Sequence, residues 1–110
     1  MATIDDFLEL DIRIGTIEEA EFFAEARVPA IKLTINFGEE LGMKASSAQI
    51  TKRYQAEELI GKQIVAVVNF PSRRIAGFKS EVLVLGAVPS EGDVILLQAD
   101  QPLKNGTKIS

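Results

Sequence analysis

The chain contains no cysteine and no histidine. Without thiols it has no disulfides, no thiolate nucleophile and no cysteine metal site, which is compatible with a reducing compartment. Without imidazole it also lacks the commonest general base and the commonest metal ligand, so carboxylate, Lys, Tyr or Ser chemistry is all that remains. An enzyme is not expected, nor is a bound cofactor. Tryptophan is absent and tyrosine occurs once, leaving few aromatic platforms on which single-stranded bases could stack. Apolar runs such as Ile64 to Val68 fall far short of the ~20 residues of a membrane span. The opening Met1-Ala2-Thr3-Ile4-Asp5-Asp6 has neither the basic nor the apolar region of an export signal. A soluble cytoplasmic protein with no membrane insertion is therefore expected.

What is present suffices for one core. At 110 residues and 46% hydrophobic, the chain reads as a single domain that buries about two-thirds of its unfolded surface. The net charge of −4 is unevenly spread. Residues 1–43 carry 3 basic and 10 acidic groups, residues 44–80 carry 7 and 2, and residues 81–110 carry 2 and 4. A basic middle third can meet a polyanion locally, although the overall field steers one poorly.

The basic third culminates in Asn69-Phe70-Pro71-Ser72-Arg73-Arg74-Ile75-Ala76-Gly77-Phe78-Lys79-Ser80. Pro and Gly punctuate this stretch between two apolar runs, so it reads as a surface loop or solvated hairpin, with cations that suit an anionic partner.

The rest of the pattern is mostly strand. Thr3 followed by Asp6 has capping-box spacing, predicting one helical turn at 4–8 with Phe7 against the body. Residues 11–23 predict a long strand with Ile12 and Ile14 on one face, and Gly15 offers a bulge that would shift Ile17 onto that face. Residues 30–37 alternate with period two, Ile31, Leu33, Ile35 and Phe37 inward, and a third strand covers 43–48. Residues 55–60, closed by Gly61, predict a short helix. Strands at 62–69 and 80–87 and an apolar run at 94–97 follow. The fold class is all-β: a five-stranded OB-fold Greek-key barrel with short helices at the N-terminus and between strands three and four. An SH3-like barrel is the competitor. The barrel spans about 11–90, and 91–110 is a C-terminal extension expected to serve dimerisation.

Ile64, Ala66 and Val68 share one strand face, yet Val65 and Val67 make the other face apolar too. A small barrel has one interior, so a second dry surface is implied. A homodimer is the expectation; coverage by the C-terminal tail is the alternative.

Four blocks in order, covering nearly the whole chain, make the sequence resemble the CsaA family, stand-alone relatives of the tRNA-binding OB-fold domain attached to some aminoacyl-tRNA synthetases. They are Asp11-Ile12-Arg13-Ile14-Gly15-Thr16-Ile17, Ala26-Arg27-Val28-Pro29-Ala30-Ile31-Lys32-Leu33, Ser46 to Tyr54, and Val67 to Leu83. The resemblance implies a cytoplasmic homodimeric chaperone of protein export that binds unfolded precursor proteins in apolar pockets, with SecA as a further partner. In the wider tRNA-binding domain the Asn, the basic residues and the Ser of the last block contact RNA, which carries over to Asn69, Arg73, Arg74 and Ser80. Two places depart from that wider pattern: Ala48 stands where a glycine is expected, and Val82-Leu83 where a glycine and a methionine are.

Two binding readings follow, and neither is catalytic. A peptide-binding chaperone would use Phe22, Phe23, Phe70 and Phe78; adjacent Phe22 and Phe23 must point to opposite sides of a regular strand. A binder of tRNA or other structured RNA would add Lys52, Arg53 and Lys79 to the carried-over residues. The only enzyme-like pairs, Lys79-Ser80 and Asp5-Asp6, read as adjacent strand residues that project apart and as an acidic helix start.

Overall fold

The computed structural model describes residues 1–110. In chain order the elements are α1 (Ile4–Leu8), β1 (Ile12–Phe22), β2 (Ile31–Asn36), α2 (Gly38–Leu41), β3 (Met43–Ala48), α3 (Ala56–Leu59), β4 (Gln63–Val67), β5 (Arg73–Ile75), β6 (Phe78–Ser80), β7 (Leu83–Val84), β8 (Gly86–Ser90) and β9 (Asp93–Leu96). Five strands form one antiparallel sheet in the order β3-β2-β1-β4-β7, and β5-β6 and β8-β9 are separate hairpins. The sheet curls until its edges meet. Glu81 N–H donates to the Ala45 carbonyl at 2.8 Å, and the Ser46 hydroxyl donates to the Val82 carbonyl at 3.0 Å. The result is a nearly closed OB-type barrel.

The period-two segment behaves as its pattern requires. Ile31, Leu33, Ile35 and Phe37 are all buried and pack with Ile17, Leu59, Ile64 and Ala66 in the main core. Each fully buried aliphatic of this kind contributes roughly 2 kcal/mol. α3 closes one end of the core through Leu59.

Three expectations are corrected. The register of β1 against β4 runs unbroken from Ile12↔Val67 to Thr16↔Gln63, and the shift falls later, between Ile17 and Glu19. Ile17 thus faces the main core while Ile12 and Ile14 face the other way. Gly15 serves contact, not a bulge: a Cβ there would lie 2.7 Å from Ile35 Cγ2 and from the Phe37 ring. The predicted strand at 80–87 is broken into the end of β6, the short β7 and the start of β8. Finally, α1 has its capping box but buries no residue, and Phe7 is exposed.

The second apolar face is real and is covered by the chain itself. Ile12, Ile14, Val65 and Val67 form a separate buried cluster beneath Leu85, Ala99 and Ile109. Because β2 pairs only with the second half of β1, the first half keeps a free edge, and the tail docks there. Ile14 N–H donates to the Thr107 carbonyl at 2.9 Å, Gly106 N–H to the Ile14 carbonyl at 2.8 Å and Ile109 N–H to the Ile12 carbonyl at 2.9 Å. Gln63 grips the tail with both ends of its amide, donating to the Leu103 carbonyl and accepting from Leu103 N–H. For β4, the tail supplies cover of the kind the two-faced pattern required.

No helix is long and apolar enough to cross a membrane.

Candidate functional site

The basic loop folds as the β5-β6 hairpin, with Arg73 opposite Ser80, Arg74 opposite Lys79 and Ile75 opposite Phe78. Its two-residue turn, Ala76-Gly77, has φ of 47° and 83°, the left-handed pair that a type I′ turn demands. Ala76 holds that conformation at a cost of about 1 kcal/mol. The hairpin is rooted by Phe78, whose ring meets Phe23 edge-on at 5.5 Å. Lys32 Nζ lies 4.6 Å from the Phe23 centroid and 5.4 Å from that of Phe78, adding cation-π attraction to the joint.

Between this hairpin, the 26–30 loop and the β3-β7 junction lies a cleft of about 930 Å³. Its floor is apolar, with Ala48, Ile50, Val82, Val84 and Val94, and Phe70 stands at its edge. Arg27, Arg73 and Arg74 line it as well. None of these three arginines has a carboxylate partner. The only acid lining the cleft, Glu81, accepts a hydrogen bond from Ala45 N–H at 3.0 Å. Arg74 and Lys79 sit directly opposite one another, a like-charge pair that destabilises a bare hairpin.

The residues singled out from sequence divide into free and committed groups. Arg73, Lys79 and Lys52 are exposed and unpaired. Arg74 is exposed and donates to the Gly77 carbonyl at 3.1 Å, bracing the turn. Arg53 is committed: it forms a two-pronged ion pair with Asp93 through Nε and Nη2, the latter at 2.8 Å. The hydrogen bond from Arg53 is the main cause holding the Asp93 carboxyl below the usual carboxylate range. Asn69 is committed too, accepting from Asp11 N–H at 2.8 Å and donating to the Glu9 carbonyl at 2.9 Å; it joins α1 to the barrel. Ser80 Oγ accepts from Ser47 N–H at 3.0 Å. Among the phenylalanines, Phe22 and Phe70 are exposed and Phe78 is half-buried. Phe23, only 1% exposed, is a core wedge and offers no ligand surface.

The chain and its fold have counterparts among known proteins. The chain matches the family model "Putative tRNA binding domain" over residues 12–108. A crystal structure of the chaperone CsaA from Bacillus anthracis strain Ames is 72% identical with a TM-score of 0.95, over 100% of this chain and 99% of that one. That of the CsaA chaperone protein from Picrophilus torridus is 53% identical with a TM-score of 0.93, over the whole of both chains. The chain belongs to the CsaA family. It is also 36% identical to a methionine–tRNA ligase of Methanococcoides burtonii over 109 residues, 99% of this chain. It spans only 16% of that ligase's length.

For this CsaA family member, the two glycine departures gain a structural meaning. Ala48 and Val82 are both buried in the main core and both line the cleft. Side chains thus fill positions where glycine would have let a ligand approach the backbone, and the floor becomes more apolar.

Sequence reasoning missed the floor and the ion pairs of Arg13 and Arg53. Ile50, Val84 and Val94 lie on three separate segments, and no local pattern gathers them. Arg27, within a quoted block, carried the one available signal: a cation in a loop flanked by Pro29. Arg13, also in a quoted block, is nearly buried and donates to Asp11 at 2.6 Å, to Glu40 at 3.2 Å and to the Gly106 carbonyl at 3.1 Å. The hydrogen bond to Asp11 is the main cause raising its already high pKa, against the opposing effect of burial.

Proposed function

We infer that the protein is a non-catalytic cytoplasmic chaperone that holds extended apolar segments of unfolded precursor proteins in the cleft between the β5-β6 hairpin and the β3-β7 junction. The observation that carries this reading is the apolar lining: Val28 and Leu83 are exposed and Val84 and Val94 half-buried beside the exposed aromatic edge of Phe70. Such a surface rewards burial of apolar side chains with little demand on their identity. The CsaA relatives, named as chaperones, support it. Export clients, and SecA as a further partner, belong to this proposal through the family resemblance.

A homodimer is part of the same reading. The tail spends Ile109 on its own barrel, so the surface available to a second copy lies elsewhere. Exposed Ile4 and Leu8 on α1, and Val88, Ile95 and Leu97 around β8-β9, are among the apolar groups left for it. Sedimentation of a 12.0 kDa species alone at micromolar concentration would sink this part.

The test of the chaperone reading is fluorescence anisotropy of a labelled, chemically unfolded precursor protein with wild type and Phe70→Ser. Loss of an exposed aromatic anchor should weaken binding about tenfold. Unchanged affinity would remove the cleft from the reading.

A second reading, RNA binding, is favoured by the family match and the unpaired cations. With Arg53 tied to Asp93, four of the five candidate cations remain: Lys52, Arg73, Arg74 and Lys79. Four phosphate contacts predict a log–log salt slope of about −3, so tRNA affinity should drop roughly a hundredfold from 50 to 200 mM salt. Steep salt dependence, abolished by Arg73→Glu/Arg74→Glu, would favour RNA over peptide.

A further inference from the structure

Asn105-Gly106, in the tail, is the chain's only asparagine followed by glycine; Asn36 and Asn69 each precede a phenylalanine. A following glycine leaves its main-chain nitrogen open to the asparagine side chain, because no Cβ shields it. Docking of the tail requires both members of this reactive pair. Asn105 Oδ1 accepts from the Thr16 hydroxyl at 2.6 Å and from Gln63 Nε2 at 3.3 Å. Residues 104–107 form a turn closed by Thr107 N–H on the Lys104 carbonyl at 3.1 Å. Its third residue, Gly106, has φ of 92°, the conformation that calls for glycine, and a Cβ there would lie 2.6 Å from the Phe37 carbonyl oxygen.

Docking also disarms the pair. The Gly106 nitrogen attacks only after giving up its proton, and that N–H donates to the Ile14 carbonyl at 2.8 Å. The Asn105 side chain is held toward β1 and β4 by Thr16 and Gln63, so its Cγ is kept from swinging onto that nitrogen.

We propose that Asn105-Gly106 is a self-modification site gated by the tail, closed while the tail is docked and reactive whenever it lifts. In the lifted state the Gly106 nitrogen bonds to Asn105 Cγ, the Cγ–Nδ2 bond breaks, and ammonia leaves carrying the Gly106 proton. Water then opens the resulting succinimide at either carbonyl, and nothing is oxidised or reduced. Opening at Cγ gives aspartate. Opening at the main-chain carbonyl gives isoaspartate, whose main chain runs through Cβ and Cγ and is longer by one carbon. The docked turn has no slack for that carbon: the Asn105 carbonyl oxygen lies 2.6 Å from where a Gly38 Cβ would stand. An isoaspartyl tail therefore stays off, leaving Ile12, Ile14, Val65 and Val67 without Ile109. The tail carries a one-way release whose rate follows how often it opens.

The experiment holds the full chain at mildly alkaline pH, natively and in denaturing urea. Fragments bearing Asn36, Asn69 and Asn105 are then analysed by mass spectrometry, with chromatographic separation of aspartate from isoaspartate. In urea Asn105 should convert well ahead of the other two; natively its rate should be at least about tenfold lower. Arg13→Met, which releases the Gly106 carbonyl, should raise the native rate at least about tenfold and leave the urea rate unchanged. Thr16→Val, which keeps the side-chain shape and removes the donor to Oδ1, should raise it about fivefold. Conversion of Asn105 in urea no faster than that of Asn36 or Asn69 overturns the site. Equal native and urea rates, or native rates in both variants equal to that of wild type, overturn the gate. The purified isoaspartyl chain should match truncation after Leu103 in its urea midpoint. Asn105→Asp, which keeps the main-chain length and an oxygen acceptor, should lose much less. An isoaspartyl midpoint no lower than that of Asn105→Asp overturns the one-way release.

Discussion

Two apolar patches of the barrel meet opposite fates. On one, Ile12, Ile14, Val65 and Val67 are sealed by the C-terminal tail, which is fastened by main-chain bonds, by Gln63 and by the buried Arg13. On the other, Val28, Phe70 and Leu83 stay exposed along the β3-β7 cleft, its seam held largely by side-chain bonds and its arginines left without carboxylates. On the sealed face main-chain and side-chain hydrogen bonds fasten a cover over the apolar patch. Where the chain needs a ligand it leaves apolar surface and charge unmatched, the combination that an incoming segment can complete.

Removing the seal should have the largest effect. Truncation after Leu103 removes Ile109 but keeps Leu85 and Ala99, so it partly uncovers four aliphatic side chains; it should cost roughly 4 kcal/mol, below the ~6–12 kcal/mol that full exposure of all four would cost at ~1.5–3 kcal/mol each. Urea denaturation checks it, and an unchanged midpoint would show that the tail is not the cover. The next largest is Arg13→Met, which leaves Asp11 and the Gly106 carbonyl without their donor and should cost about 2 kcal/mol. By contrast, Glu40→Gln at the exposed end of the same network should cost less than about 0.5 kcal/mol. If both substitutions proved equally mild, the tail would not depend on the buried guanidinium.

The open face should respond the other way. Arg27→Glu with Arg73→Glu should leave stability within about 0.5 kcal/mol of wild type while weakening an acidic apolar peptide about tenfold. A large loss of stability would mean that these arginines are structural after all.

The smallest effect concerns acid. The Asp93 carboxyl is held low by Arg53, so its folded pKa lies below its unfolded value of about 3.9. Its stabilisation is complete above that value and is lost as pH falls through the lower folded pKa. Asp93→Asn should flatten this part of the acid unfolding profile, as followed by circular dichroism. An identical profile would mean that the pair contributes nothing to acid resistance.

Much of the fold was legible because one face of each strand had to be dry. Ile31, Leu33, Ile35 and Phe37 announced β2 by alternation alone, and Thr3 with Asp6 announced the cap of α1. Gly15 misled because glycine in a strand suits either a bulge or a close contact, and only the Phe37 ring, 22 residues away in sequence, decides between them. The site was less legible. Arg53, Asn69 and Ser80 have the right chemistry for RNA, and each instead bonds its own chain. Residue type reports what a group is able to bind; it does not say whether the bond is already made.

Sequence by itself determined the all-β class, the main core, the exposed cationic hairpin and the lack of thiol and imidazole chemistry, because periodicity and composition act locally. Tertiary structure alone decided which cations stay free, which apolar face the tail seals, and that Ile50, Val82 and Val94 share one floor. Those outcomes depend on segments far apart in the chain meeting in space, and no local pattern encodes which of two chemically suitable partners will arrive first.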